Sequence, residues 1–321
     1  MSRTYLVVFV GFASISAYTA IAVAPSVKMA SYATGTSIAA ILAGLAASAL
    51  LRRYGDGIIM RVSWALFLAM LLHAPFWIWL YVTEGQNPDF DWNNRTPGYP
   101  SVRMYGYSVE AGLAAALGLF YLSDNKSKLL RTGLIVGTAL LWMLLFWSGG
   151  RGAFFALLAT SVVVALITPK FATKMWKFLV ATIAIGAGLS LLLPVPSSAY
   201  GLLRRFNGTG NTASLNDLSS DRLTLWSDAY SIFLDRPIFG HGMLQYSHVT
   251  TLTRVDAPIQ VHNIVLESLI AFGLVGTIAL VFLLGKIWVS AAIRLRRGDS
   301  LSTLPVFLVA SSLPVHWLGS G

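Results

Sequence analysis

Residues 130–168 read LRTGLIVGTALLWMLLFWSGGRGAFFALLATSVVVALIT, and this stretch decides the fold. Each half is an apolar run close to the roughly 20 residues that a helix needs to cross a bilayer. The halves meet at Trp147-Ser148-Gly149-Gly150-Arg151-Gly152, where glycines permit a tight turn and a lone arginine opens the second run. Basic residues bound the pair on the other side: Lys126 and Lys128 before it, Arg131 at its start and Lys170 after it. Two adjoining spans with basic residues at one end and a glycine turn at the other describe a helical membrane protein.

The rest of the chain repeats that pattern. Of 321 residues 56% are hydrophobic and 11% charged, with a mean hydropathy of +0.68, whereas soluble domains carry about 25% charge. A soluble enzyme, a disordered chain and a fibrous protein are excluded. Nine spans are predicted, near 4–24, 31–51, 58–82, 106–122, 130–148, 151–168, 176–194, 262–285 and 301–318. The first, from Tyr5 to Ala24, is too long for a signal-peptide core and lacks a small-residue cleavage site, so it is read as a span. With the N-terminus cytoplasmic, the inner connections hold Arg3, Arg52, Arg53, Arg61, Lys126, Lys128, Arg131, Lys170, Lys174, Lys177, Lys286, Arg294, Arg296 and Arg297. That is the positive-inside pattern. It explains the net charge of +10 without nucleic acid as a partner. Of thirteen acidic residues only Asp56, Asp124 and Asp299 fall inside. Cysteine is absent, so neither disulfides nor thiolate metal sites are expected.

Two outer segments are long. The first, from Thr83 to about Tyr105, carries the turn signals Asn87-Pro88-Asp89 and Thr96-Pro97-Gly98-Tyr99-Pro100. The second runs from about Val195 to Val261; Asn207-Gly208-Thr209-Gly210-Asn211 reads as a flexible loop. From Ser219 to Leu234 a helix is predicted, capped by Ser219 or Ser220 and closed by Pro237. Leu225, Trp226, Ala229, Ile232 and Phe233 form its apolar face, which suits a helix at the outer membrane surface. A turn follows at Phe239-Gly240-His241-Gly242.

Polar groups within or beside spans are costly and mark candidate sites. They are Arg103, Glu110, Arg151, Arg222, His262 and Glu267, at the outer ends of the spans or in the outer segments beside them; His73 and His316 are the exceptions. The cytoplasmic halves are nearly purely apolar, which disfavours a transport pathway with polar groups at the midplane and suits a reaction at the outer face. Each group has a plainer reading. Arg151 snorkels to headgroups or binds an anion with its glycines; Arg222 is a surface charge or an anion ligand; His262 caps a helix or moves a proton. Glu267 orients His262 or pairs with an arginine, Arg103 and Glu110 neutralise each other, and His241 and His248 read as loop residues. There is no HExxH, P-loop or GxSxG sequence. What remains is arginine, which grips phosphate bidentately, and histidine, which takes a proton near neutral pH.

Four stretches together resemble the O-antigen ligase and polymerase superfamily of bacterial envelope glycosyltransferases. They are Arg103-Met104-Tyr105-Gly106-Tyr107; Ser148-Gly149-Gly150-Arg151-Gly152; Asp221-Arg222 and Trp226 with Asp235-Arg236-Pro237-Ile238-Phe239-Gly240-His241-Gly242; and His262-Asn263-Ile264-Val265-Leu266-Glu267 with Phe272-Gly273-Leu274-Val275-Gly276. The likeness covers about residues 101–285, between N-terminal spans (1–100) and a basic loop with a last span (286–321). It implies an all-α polytopic protein of the bacterial inner membrane, with residues 195–261 as a periplasmic loop. It implies an undecaprenyl diphosphate-linked glycan as donor and a lipid A-core hydroxyl as acceptor, with no metal, nucleotide or other cofactor. Arg151, Arg222 and, third, Arg103 would bind the diphosphate; His262 would be the general base, supported by Asn263, Glu267 and Gly150, and transfer would invert the anomeric carbon. The same donor serves O-antigen polymerases and protein O-oligosaccharyltransferases. A lipid-linked oligosaccharide flippase is the reading from another class. His241 and His248 leave the identity of the base open. The likeness also implies a chain that continues past Gly321.

Overall fold

The computed structural model describes residues 3–54, 56–85, 87, 89–92, 99, 102–123, 126–195, 200–201, 222–252, 261, 263–297, 304, 307, 308 and 311. Among them all regular structure is helical. The helices are α1 (Arg3–Tyr18, continued by a π-helical turn Thr19–Val23), α2 (Val27–Tyr54), α3 (Asp56–Glu84), α4 (Val102–Tyr121) and α5 (Lys128–Trp147). They continue with α6 (Arg151–Ile167), α7 (Pro169–Leu192), α8 (Arg222–Asp235), α9 (Tyr246–Val249) and α10 (Ile264–Arg297). Five segments are long and apolar enough to cross a membrane: Arg3–Val23, Gly57–Glu84, Lys128–Trp147, Pro169–Leu192 and Ile264–Arg297; α6 contributes a shorter apolar stretch, Gly152–Ile167.

Eight of the nine windows read from sequence fall on helices. The ninth, 301–318, lies mostly outside the described residues; Leu304, Phe307, Leu308 and Ser311 within it are helical and buried. Two helices run further than hydropathy suggested. Helix α7 starts at Pro169, whose fixed φ and missing N–H suit a first turn, so Lys170, Lys174 and Lys177 belong to the helix rather than to a connection. Lys174 reaches the Tyr121 carbonyl and covers that residue's ring at 4.3 Å. Helix α10 continues past residue 285 to Arg297, with Lys286 over the Tyr5 ring at 5.8 Å. The ammonium groups themselves lie against aromatic rings, so charge alone did not mark these helix ends.

The chain forms two compact units, the first comprising residues 1–53, 212–290 and 317–321, the second residues 54–211 and 291–316. In the second, α5 packs against α4 and α7. Small residues let these helices approach, as expected where lipid offers no hydrophobic drive for association. A Cβ on Gly186 would stand 2.4 Å from the Cβ of Trp142, and one on Gly137 2.5 Å from the Phe67 ring. Phe120 and Phe178 stack at 3.7 Å.

The first unit holds a broken helix. At Gly273 the φ of +61° and ψ of −167° interrupt α10. Backbone groups orphaned by such a break must find partners, and the turn after α8 supplies them. The N–H groups of His241 and Gly242 donate to the carbonyls of Ile270 and Ala271 at 2.7 and 3.0 Å. In return, the N–H groups of Leu274 and Val275 donate to Pro237 and Ile238 at 2.8 and 3.3 Å. This exchange needs glycine on both sides: a Cβ on Gly240 would lie 2.5 Å from the Ile270 oxygen, and one on Gly273 2.3 Å from the Ile238 oxygen.

Helix α8, Arg222–Asp235, overlaps the helix read from sequence, and the expected caps Ser219 and Ser220 lie outside the described residues. Its apolar face is used inside the protein: Ala229, Ile232 and Phe233 bury against Tyr246, Val261 and Ile270, with Leu225, Trp226, Leu266 and Leu269 around them. The expected flexible loop at 207–211 lies outside the described residues.

Candidate functional site

The second unit carries Arg103, Glu110, Gly150 and Arg151. Helix α5 ends in a hydrogen-bonded pattern built on glycine. Gly149 adopts φ +76°, its N–H donates to Phe146 at 3.1 Å, and the Gly150 N–H donates to Leu145 at 2.9 Å. This pairing is a Schellman motif. Gly150 then caps α6, its carbonyl accepting from Phe154 at 3.2 Å. A Cβ at Gly150 would meet the Leu145 side chain at 2.6 Å. One helix therefore stops and the next starts within three residues, which puts Arg151 in the first position of α6, where backbone N–H groups and the helix dipole favour an anion.

Trp147 ties this turn to the start of the long segment after α7. Its indole N–H donates to the Pro194 carbonyl at 3.0 Å, its own carbonyl accepts from Gly201 at 2.8 Å, and Tyr200 packs on its ring at 5.4 Å. Trp77 and Tyr105 complete the aromatic floor below. Arg103 is the second residue of α4, and Glu110, two turns on, is fully buried.

The first unit carries Arg222, His241, His248, Asn263 and Glu267. Arg222 opens α8 and is half-buried; Trp226 lies one turn on, on the same face. The Trp226 indole N–H donates to the carbonyl of Val261 at 3.2 Å. Val261 is wholly buried, and its backbone N–H is engaged by the Glu267 carboxyl. Asn263 caps α10: its Oδ1 accepts from the N–H groups of Val265 and Leu266 at 3.0 and 3.2 Å. His262 itself lies outside the described residues, but the residues on both sides of it are held. Glu267 thus serves the backbone before His262, an option that spacing alone did not suggest.

His241 is buried, with Nε2 2.9 Å from the Ile232 carbonyl in the last turns of α8, so its ring braces α8. His248 is exposed, its Nε2 3.1 Å from the Met29 sulfur. Asp228 was missed in the sequence. It accepts from Tyr246 Oη at 2.8 Å and Thr250 Oγ1 at 2.6 Å, fastening α9 to α8. Burial first, then the bond to the Asp228 carboxylate, pushes the Tyr246 phenol well above its ordinary range, so it stays a donor. Among the described residues no three His, Asp or Glu side chains gather as a metal site.

Residues 136–281 match the family model described as O-antigen ligase. The match supports the O-antigen ligase and polymerase superfamily and a glycosyltransferase-type enzyme in a multi-pass membrane protein. It spans the turn at 148–152, α8, the Gly240–Gly273 exchange and the start of α10, and leaves Arg103 outside. No curated protein matches the chain.

Proposed function

We propose, from the O-antigen ligase match as premise, that this protein is a ligase-type glycosyltransferase. It moves a glycan from undecaprenyl diphosphate to a hydroxyl of lipid A-core at the periplasmic face of the bacterial inner membrane. In this reading the chain crosses nine times with its N-terminus in the cytoplasm, and residues 195–261 form the periplasmic loop. His262 takes the proton of the acceptor hydroxyl. The oxygen attacks the first sugar's anomeric carbon opposite the diphosphate, the carbon–oxygen bond to phosphate breaks with its electron pair leaving on phosphate, and the configuration inverts. Arg151 and Arg222 bind the diphosphate and stabilise the charge that develops on it, with Arg103 assisting. Two or three guanidinium groups offset that charge without a metal or a nucleotide.

The observation that carries this reading is the fixed backbone on both sides of His262, with Arg222 one turn from the tryptophan that holds it. A scaffold of this kind suits a base that must meet an attacking hydroxyl in one geometry. The test is transfer by purified protein in excess EDTA, with lipid A-core, lipid-linked glycan and a hydroxyl-bearing protein as competing acceptors. Product on lipid A-core that survives chelation is expected. Extension of the lipid-linked glycan instead identifies a polymerase, product on protein an O-oligosaccharyltransferase, and no transfer to any acceptor returns the flippase reading.

A further inference from the structure

We infer that the outward side of α8 is a saccharide subsite, in which Asp228 accepts hydrogen bonds from the hydroxyls of a glycan; this rests on the reading of the protein as a glycosyltransferase. Thr224, Ser227, Asp228 and Ser231 follow at i, i+3, i+4 and i+7, which places them on one side of the helix. With Leu223 they line a surface groove of about 560 Å³. Ala229, Ile232 and Phe233 turn the other side into the core. Helix α8 therefore packs with one face and presents three hydroxyls and a carboxylate with the other.

That carboxylate is held in place before any ligand arrives. Tyr246 Oη and Thr250 Oγ1 donate to it at 2.8 and 2.6 Å, and both use Oδ2. Among the described residues no donor is bonded to Oδ1. A carboxylate oxygen only accepts, so its ligand must bring O–H or N–H donors. A diphosphate is disfavoured there by like charge. A sugar fits, because its hydroxyls donate to Oδ1 and also accept from the Ser and Thr hydroxyls alongside. An acceptor already fixed by two neighbours loses little freedom on binding. Tyr230 is 54% exposed and stands one turn on from Ser227, where its ring offers a surface to the C–H face of a sugar. Arg222 directly precedes the groove residues, so in this reading one helix carries both a diphosphate ligand and a sugar subsite.

The experiment measures equilibrium binding to the full chain in detergent. It compares undecaprenyl diphosphate-linked glycan with undecaprenyl diphosphate, and lipid A-core with lipid A, for wild type, Asp228→Asn, Ser227→Leu and Thr250→Val. Asparagine keeps the size and removes the charge, and leucine fills the groove from an exposed position. Asp228→Asn and Ser227→Leu should each weaken the sugar-bearing member of one pair about 10- to 100-fold, the size of a hydrogen bond to a charged group. The sugar-free member should be unchanged. Loss in the first pair assigns the groove to the donor glycan, and loss in the second to the acceptor core. Thr250→Val removes a bond to Oδ2 outside the groove, so it should lower the melting temperature and keep the preference for sugar. A preference that neither Asp228→Asn nor Ser227→Leu alters, in a protein that binds these lipids, overturns this inference alone. So does equal weakening of both members of a pair, since that marks a structural role. A wild type that binds neither the lipid-linked glycan nor lipid A-core overturns the functional reading itself.

Discussion

At the level of single residues, two arginines and one histidine carry the proposed chemistry, and their surroundings make distinct demands. A diphosphate meets guanidinium through two parallel hydrogen bonds, which an ammonium cannot reproduce. Arg151→Lys and Arg222→Lys should therefore each lower kcat/KM about tenfold, and the alanine variants about 10²-fold or more, as read in the steady-state transfer assay. Lysine variants that match wild type would leave only a general charge requirement. Asn263 offers a separate check on the scaffold. Asn263→Ala should cost about 1 kcal/mol of stability and Asn263→Asp little, as measured by thermal unfolding in detergent. Arg151, Arg222 and His262 stand out in the sequence because charge beside an apolar span is conspicuous. Trp226 and Asp228 were legible only as a face residue and an acid, since their partners Val261, Tyr246 and Thr250 lie 18 to 35 residues away and nothing in spacing announces them. His241 illustrates the same limit: a loop histidine by sequence, it is a buried brace in the fold.

At the level of elements, the break in α10 is the feature with the sharpest consequence. Gly273→Ala and Gly240→Ala both force a Cβ against backbone atoms that cannot yield, at a residue with positive φ. Each should lower the melting temperature markedly, on the order of 2 kcal/mol or more of stability. Gly285→Ala is the control, since its added Cβ meets nothing within 4 Å and alanine favours a helix interior; it should be neutral or slightly stabilising. Equal melting temperatures for all three variants would contradict the exchange of hydrogen bonds described here. Hydropathy found α10 as one span because its apolar residues run on through the break. The paired glycine motifs at 240–242 and 273–276 were visible as motifs, but only their mutual distance explains why they occur together. Boundaries failed where lysines and arginines continue a helix, as in α7 and at the end of α10.

At the level of the whole molecule, the positive-inside pattern predicts which surfaces face which compartment. The chain has no cysteine, so single engineered cysteines report without background. Ser231→Cys on α8 should react with a membrane-impermeant maleimide from the periplasmic side of intact cells. Thr173→Cys in α7 and Ser290→Cys in α10, both exposed, should react only after lysis. The reverse labelling would invert the proposed orientation and remove the site from the periplasm. Composition alone settled that the molecule is a helical membrane protein, because 11% charge cannot solvate a soluble domain of this size. The central claim is that His262 removes the acceptor proton, and it is tested most directly by His262→Ala, comparing kcat for transfer to lipid A-core with the affinity for undecaprenyl diphosphate-linked glycan. A fall of about 10²–10⁴ in kcat with donor affinity unchanged is expected; a kcat within about threefold of wild type would contradict the account.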